Sequence, residues 1–141
     1  MVRVEVVRAT NDRFYHDRPF VAVFVGATAG IGEYTAKALA TTYAKQGRLL
    51  RVYLVGRSTD AGNKLVSGCS KVCPDGSFTF VRAENAALVQ DVDRVCGEIS
   101  RLEQQHDRPR IDMLVMTQGQ VTFGAREGRT LGIPCLPRYI S

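Results

Sequence analysis

Residues 20–32, FVAVFVGATAGIG, constrain this chain more than any other stretch. Phe20–Val25 is an unbroken apolar run, and Gly26, Gly30 and Gly32 follow it. A short apolar run bounded by glycines reads as a buried strand, because a helix needs about ten or more periodic residues. The run does not alternate, so the strand is expected to be covered on both faces, as in a parallel sheet. The glycines predict a tight turn leading into a helix. Such a turn brings backbone N–H groups close to an anionic ligand with no side chain in the way. The positive end of the helix dipole favours a phosphate at that spot. The pattern predicts an α/β domain of the dinucleotide-binding kind.

The remaining composition narrows the classes. A chain of 141 residues can bury one real core. The apolar run is too short to span a bilayer. The N-terminus, MVRVEVVRATNDR, has no signal-peptide h-region, so the default expectation is a cytoplasmic protein with no membrane partner. The net charge of +5 suits an anionic cofactor. Lys and Arg are scattered rather than clustered, which argues against nucleic acid as a partner. Cys69, Cys73, Cys96 and Cys135 contain no CxxC spacing and have only His16 and His106 for company. That predicts free thiols and no metal site.

The elements alternate along the chain. Residues 1–19 carry Val2, Val4, Val6 and Val7 and read as an edge strand or an arm. After the first strand, residues 31–46 read as a helix burying Ile31, Tyr34, Ala38 and Tyr43, with Gly47 as its C-terminal cap. Residues 49–55 form a second strand, 59–68 a short helix and 77–82 a third strand. Residues 88–102 show the strongest helical periodicity, through Leu88, Val89, Val92, Val95, Cys96, Ile99 and Leu102. Residues 111–116 are a fourth strand. Strands alternating with helices imply parallel pairing. The expected fold is an incomplete Rossmann-like, doubly wound sheet over residues 20–119, of about four parallel strands with flanking helices. Residues 120–141 carry Gly124, Gly128, Gly132, Pro134 and Pro137 and predict an irregular tail.

The glycine spacing, G-x-x-x-G-x-G, resembles the TGxxxGIG turn of the short-chain dehydrogenase/reductase family. Val25 replaces the usual Thr, while Gly26, Thr28, Gly30, Ile31 and Gly32 fit. The resemblance implies that these residues bind a nicotinamide dinucleotide. Arg57 follows the second strand, where an acidic residue would bind a ribose 2′-hydroxyl and a basic one accommodates a 2′-phosphate. That favours NADP(H) over NAD(H). Glu84-Asn85 follows the third strand. The resemblance implies an adenine contact at one of them, while local chemistry equally allows a helix N-cap. Thr117-Gln118-Gly119 stands where the family has Asn, Ala and Gly. Gly119 matches and implies a close backbone approach to the cofactor, and the Thr-Gln variant is similar to fungal biosynthetic members, implying secondary metabolism.

The family's catalytic Tyr-x-x-x-Lys does not occur. Four residues beyond Tyr15, Tyr34, Tyr43 and Tyr53 stand Pro19, Ala38, Gly47 and Arg57, and Tyr139 has no residue at that spacing. No catalytic residue is assigned. The resemblance implies an NADP(H)-dependent oxidoreductase acting on a carbonyl or hydroxyl of a small metabolite whose identity the sequence does not specify. The alternative is an inactive NADP(H)-binding module or a truncated remnant. An unpaired fourth strand would also offer an open edge for association.

Overall fold

A computed structural model of the chain describes residues 2–11, 18–84 and 89–119. Its elements are α1 (Val4–Asn11), β1 (Phe20–Val25), α2 (Gly30–Gln46), β2 (Leu50–Gly56), α3 (Thr59–Val72), β3 (Ser77–Arg82), α4 (Val89–Glu103) and β4 (Met113–Met116). The four strands form one parallel sheet in the order β3-β2-β1-β4. This is the expected α/β, Rossmann-like arrangement. The tail, 120–141, lies outside the described residues.

The continuous apolar run of β1 follows from its place at the sheet's centre. Ala22 and Phe24 face α2 and α3, where they join Leu50, Val52, Leu54, Ala36, Ala40, Leu65 and Cys69. Val21 and Val23 point the other way and pack with Tyr53, Val55, Val81, Val95 and Ile99 on the α4 side. Every residue of β2 is buried. Two cores, one on each face, remove any reason for the strands to alternate apolar with polar.

The face that α2 buries differs from expectation. Gly32, Ala36 and Ala40 are its buried residues. Ile31 and Tyr34 are 76% and 74% exposed, Ala38 is exposed, and Tyr43 is half-buried and stacked on Phe20. Helix and sheet approach closely here, so the contact stripe takes small side chains and the large ones are turned outward. Gly47 caps the helix in the left-handed region, at φ 62°, as its position predicted. In α4, Val95 and Ile99 are buried, but Val89 and Cys96 are exposed.

Residues Val4–Asn11 form a helix rather than an edge strand. Alternating valines resemble a strand locally, but a strand needs a neighbour to pair with, and α1 stands outside the sheet. Glu5 in its first turn and Arg8 in its last complement the helix dipole.

A polar network closes the end of the molecule opposite the glycines. Arg51 Nη1 donates to both oxygens of Glu103, at 2.9 and 3.0 Å. The Tyr53 hydroxyl donates to Glu103 Oε1 at 2.7 Å, and Arg110 N donates to Oε2 at 3.3 Å. All three side chains are buried, so the carboxylate is removed from water with each oxygen satisfied. Nearby, Asp112 accepts from Val21 N at 3.0 Å and donates its own N–H to Val21 O at 2.8 Å, fixing β4 against β1.

Candidate functional site: the carboxyl ends of the strands

Parallel strands put all their carboxyl ends on one edge, and the sequence-assigned residues gather there. Gly26 N and Ala27 N both donate to Val55 O, at 2.9 and 3.2 Å, so the turn after β1 is tied to β2. Gly26 has φ 88° and Gly30 has φ 58°, conformations that side chains disfavour. A Cβ on Gly26 would lie 2.7 Å from Gln118 N, and one on Gly32 would lie 2.5 Å from Thr117 Oγ1 and 2.6 Å from Gly26 O. The end of β4 therefore presses directly on the turn. A Cβ on Gly30 would meet nothing within 4 Å. That is the open side of the turn.

Helix α2 begins just behind. Ala29, its N-cap, is extended and makes no side-chain cap. The first N–H groups of α2 thus have no side-chain acceptor of the usual kind. Open space at Gly30, uncapped donors and the helix dipole together form a cradle that suits a phosphate. The residues present fit the pyrophosphate of a dinucleotide. Ile31 sits in this first turn with its side chain exposed.

Thr117 contributes something that reading the motif missed. Its N–H donates to Val25 O at 2.9 Å, and its hydroxyl lies 3.2 Å from both Val25 O and Gly26 O. In sequence Thr117 was only a departure from the family's asparagine. The signal that identifies its role is three-dimensional, because β4 pairs with β1 from more than ninety residues away. Gln118 Oε1 is buried and meets no hydrogen-bond donor among the described residues. Gly119 is exposed beside it.

Arg57 follows β2 on the same edge and is exposed. The methyl of Thr28 leans onto Gly56, where a Cβ would lie 2.4 Å away. The turn and the end of β2 are thus in contact, one residue before the guanidinium. No carboxylate among the described residues pairs with Arg57. Glu84 follows β3, is exposed and lies 3.8 Å from Arg82 Nη2. Asn85 lies outside the described residues.

The described tyrosines are Tyr34, Tyr43 and Tyr53. Tyr34 is exposed on α2, and Tyr43 is stacked on Phe20, 5.5 Å between ring centres. Tyr53 is held by Glu103 at the far side of the sheet. Burial, then the hydrogen bond to Glu103, pushes its phenol well above the ordinary range. Burial likewise raises the thiols of Cys69 and Cys73. Among the described residues no cluster of three or more His, Cys, Asp or Glu could hold a metal. No helix there is long and apolar enough to cross a membrane.

The fold and the glycine turn define a Rossmann-like α/β domain whose open glycine turn lies at the carboxyl edge of its sheet. Within that class the chain resembles the short-chain dehydrogenase/reductase family in sequence along nearly its whole length. It is 35% identical to a short-chain dehydrogenase/reductase of Stachybotrys chartarum, covering 99% of this chain and 41% of that protein. It is 33% identical to an oxidoreductase of Emericella nidulans, covering 96% of this chain and 38% of the relative. The chain thus spans about two-fifths of the length of these relatives. Among solved structures, a short chain dehydrogenase from Shigella flexneri complexed with NADP shares the fold. Its TM-score is 0.50 and its identity 21%, over 75% of this chain and 39% of that one. No family model matches the chain.

Proposed function

We propose that this chain is the cofactor-binding part of an NADP(H)-dependent oxidoreductase that acts on a carbonyl or hydroxyl of a small metabolite. The observation that carries this reading is the glycine turn, open at Gly30 and pressed into shape by Thr117, with Arg57, which pairs with no carboxylate among the described residues, beside it. The N–H groups of the turn and of α2 would hold the pyrophosphate. Arg57 would grip the 2′-phosphate through paired donors. Glu84 or Asn85 would bound the adenine, and Gly119 would let the backbone approach the cofactor. A donor on the bound ligand would satisfy Gln118 Oε1. The nicotinamide, when bound, supplies the hydride.

The relatives support the class, since both are named as oxidoreductases or reductases and both are fungal. A cytoplasmic role in fungal secondary metabolism extends that reading. The described tyrosines favour binding without turnover by this stretch of chain alone, because Tyr53 is locked to Glu103, Tyr43 is stacked on Phe20 and no Lys stands four residues beyond any of them.

Equilibrium titration of the purified chain with NADPH and NADH tests the proposal. Saturable binding that favours NADPH is expected, and Arg57→Ala should remove the preference, weakening NADPH by roughly ten- to a hundredfold, as loss of one charged hydrogen bond would. A folded chain that binds neither nucleotide would overturn it.

A further inference from the structure

Behind the glycine turn, a pocket of about 240 Å3 opens between α2 and α3, lined by Thr28, Glu33, Lys37, Ala61, Lys64 and Leu65. Thr28 belongs to both the pocket and the turn, and its methyl rests on Gly56, next to Arg57. The pocket therefore begins where the adenosine end of a dinucleotide would lie. Its walls carry two ammonium groups and one carboxylate. Lys37 and Glu33 pair across one turn of α2, at 2.5 Å, and their charges cancel. The hydrogen bond that Lys37 Nζ donates to Glu33 Oε1 raises the Lys37 pKa. Lys64, on the α3 wall, pairs with no carboxylate among the described residues.

We propose that this pocket receives the 2′-phosphate of the nucleotide and that Lys64 acts with Arg57 to set the preference for the phosphorylated cofactor. The inference rests on the NADP(H) reading and adds to it a cavity and a residue on a second helix. A phosphate monoester carries about −1.5 to −2 charges near neutral pH. One guanidinium balances about half of that. An ammonium on a flexible four-carbon stem supplies the rest as a point charge, with no fixed geometry required. Lys37 also lines the cavity but is paired with Glu33, whereas Lys64 is the ammonium there with no carboxylate partner among the described residues.

The test compares NADPH and NADH binding by the wild-type chain, Lys64→Ala, Lys64→Arg and Arg57→Ala. The fragments adenosine 2′,5′-bisphosphate and 5′-AMP serve as paired probes. Lys64→Ala should weaken NADPH and the bisphosphate by about fivefold or more, leave NADH and 5′-AMP within about twofold, and be rescued by Lys64→Arg. Lys64 is exposed, so its removal should not disturb folding. If Arg57→Ala removes the NADPH preference while Lys64→Ala does not, the pocket assignment fails and the NADP(H) reading stands. If the wild-type chain shows no NADPH preference, the NADP(H) reading fails and takes the pocket with it.

Discussion

Gly30 and Gly32 stand two residues apart and are glycine for opposite reasons. At Gly32 a methyl group would collide with Thr117 Oγ1 and with Gly26 O, so Gly32→Ala forces the end of β4 away from the turn. Overpacking of this kind costs about 1–3 kcal/mol, and urea unfolding should show a loss in that range. At Gly30 the space is open and the constraint is the backbone, at φ 58°. Gly30→Ala should cost only about 1–2 kcal/mol for a left-handed alanine, yet place its methyl where a phosphate would approach. The two variants should therefore separate. Gly32→Ala loses stability first, and Gly30→Ala loses NADPH affinity while remaining folded. Wild-type affinity in Gly30→Ala would mean that the turn does not cradle the phosphate. Thr117→Val keeps the shape and removes the hydroxyl, so a loss of about 1 kcal/mol is expected, the usual worth of one such hydrogen bond. The glycines were legible in sequence because only a turn of this kind needs them at that spacing. Thr117 was not, because its partners are the carbonyls of a strand distant in sequence.

At the scale of elements, β2 and α4 are joined by the Arg51–Glu103–Tyr53 network as well as by their apolar faces. Removing one member leaves an uncompensated buried charge, so Glu103→Leu should destabilise the fold by about 3–5 kcal/mol. The double variant Arg51→Met/Glu103→Leu should recover most of that, and chemical denaturation of the three proteins measures it. An additive double variant would show that the pair is not coupled. Tyr53 adds a pH dependence with a definite sign. Its folded pKa lies above the unfolded value of about 10, so its contribution is fully present below pH 10 and is lost as pH rises toward the folded value. The buried thiols of Cys69 and Cys73, also raised, act in the same direction from their ordinary value of about 8.5. Stability should therefore decline in alkali, and Tyr53→Phe should flatten the part of the slope above about pH 10. The strands and the ends of α2 and α4 were readable from apolar runs, periodicity and Gly47. The buried face of α2 was not. Periodicity weights large apolar residues, whereas this helix approaches its sheet through Gly32, Ala36 and Ala40. The network was equally hidden, since Arg51 and Tyr53 sit among apolar residues in β2 and Glu103 ends a helix fifty residues on.

For the molecule as a whole, the decisive feature is an asymmetry between the two edges of the sheet. At one edge, β3 is backed by α3, with Phe80 packed so closely on Gly62 that a Cβ there would lie 2.3 Å from the ring. At the other, β4 pairs with β1 and with no further strand among the described residues. Its residues alternate between half-buried and exposed. Met113 and Val115 join the core on the α2 side, while Leu114 and Met116, on the opposite face, are 59% and 63% exposed. A parallel strand is ordinarily covered on both faces, and an apolar strand with unpaired backbone groups invites pairing. This edge is thus the place where the chain is expected to associate with a second copy. Sedimentation of the purified chain should show concentration-dependent self-association. Leu114→Lys/Met116→Glu, which places charge on the exposed face without touching Thr117 or the glycine turn, should reduce it. Leu114→Lys alone, which lies two residues further from the glycine turn in the β1–β4 register, should keep NADPH affinity within about twofold. A variant that associates as before would move the contact elsewhere, with the exposed valines of α1 next to be tested. A variant that loses both association and nucleotide binding would tie the completeness of the site to the covering of this edge.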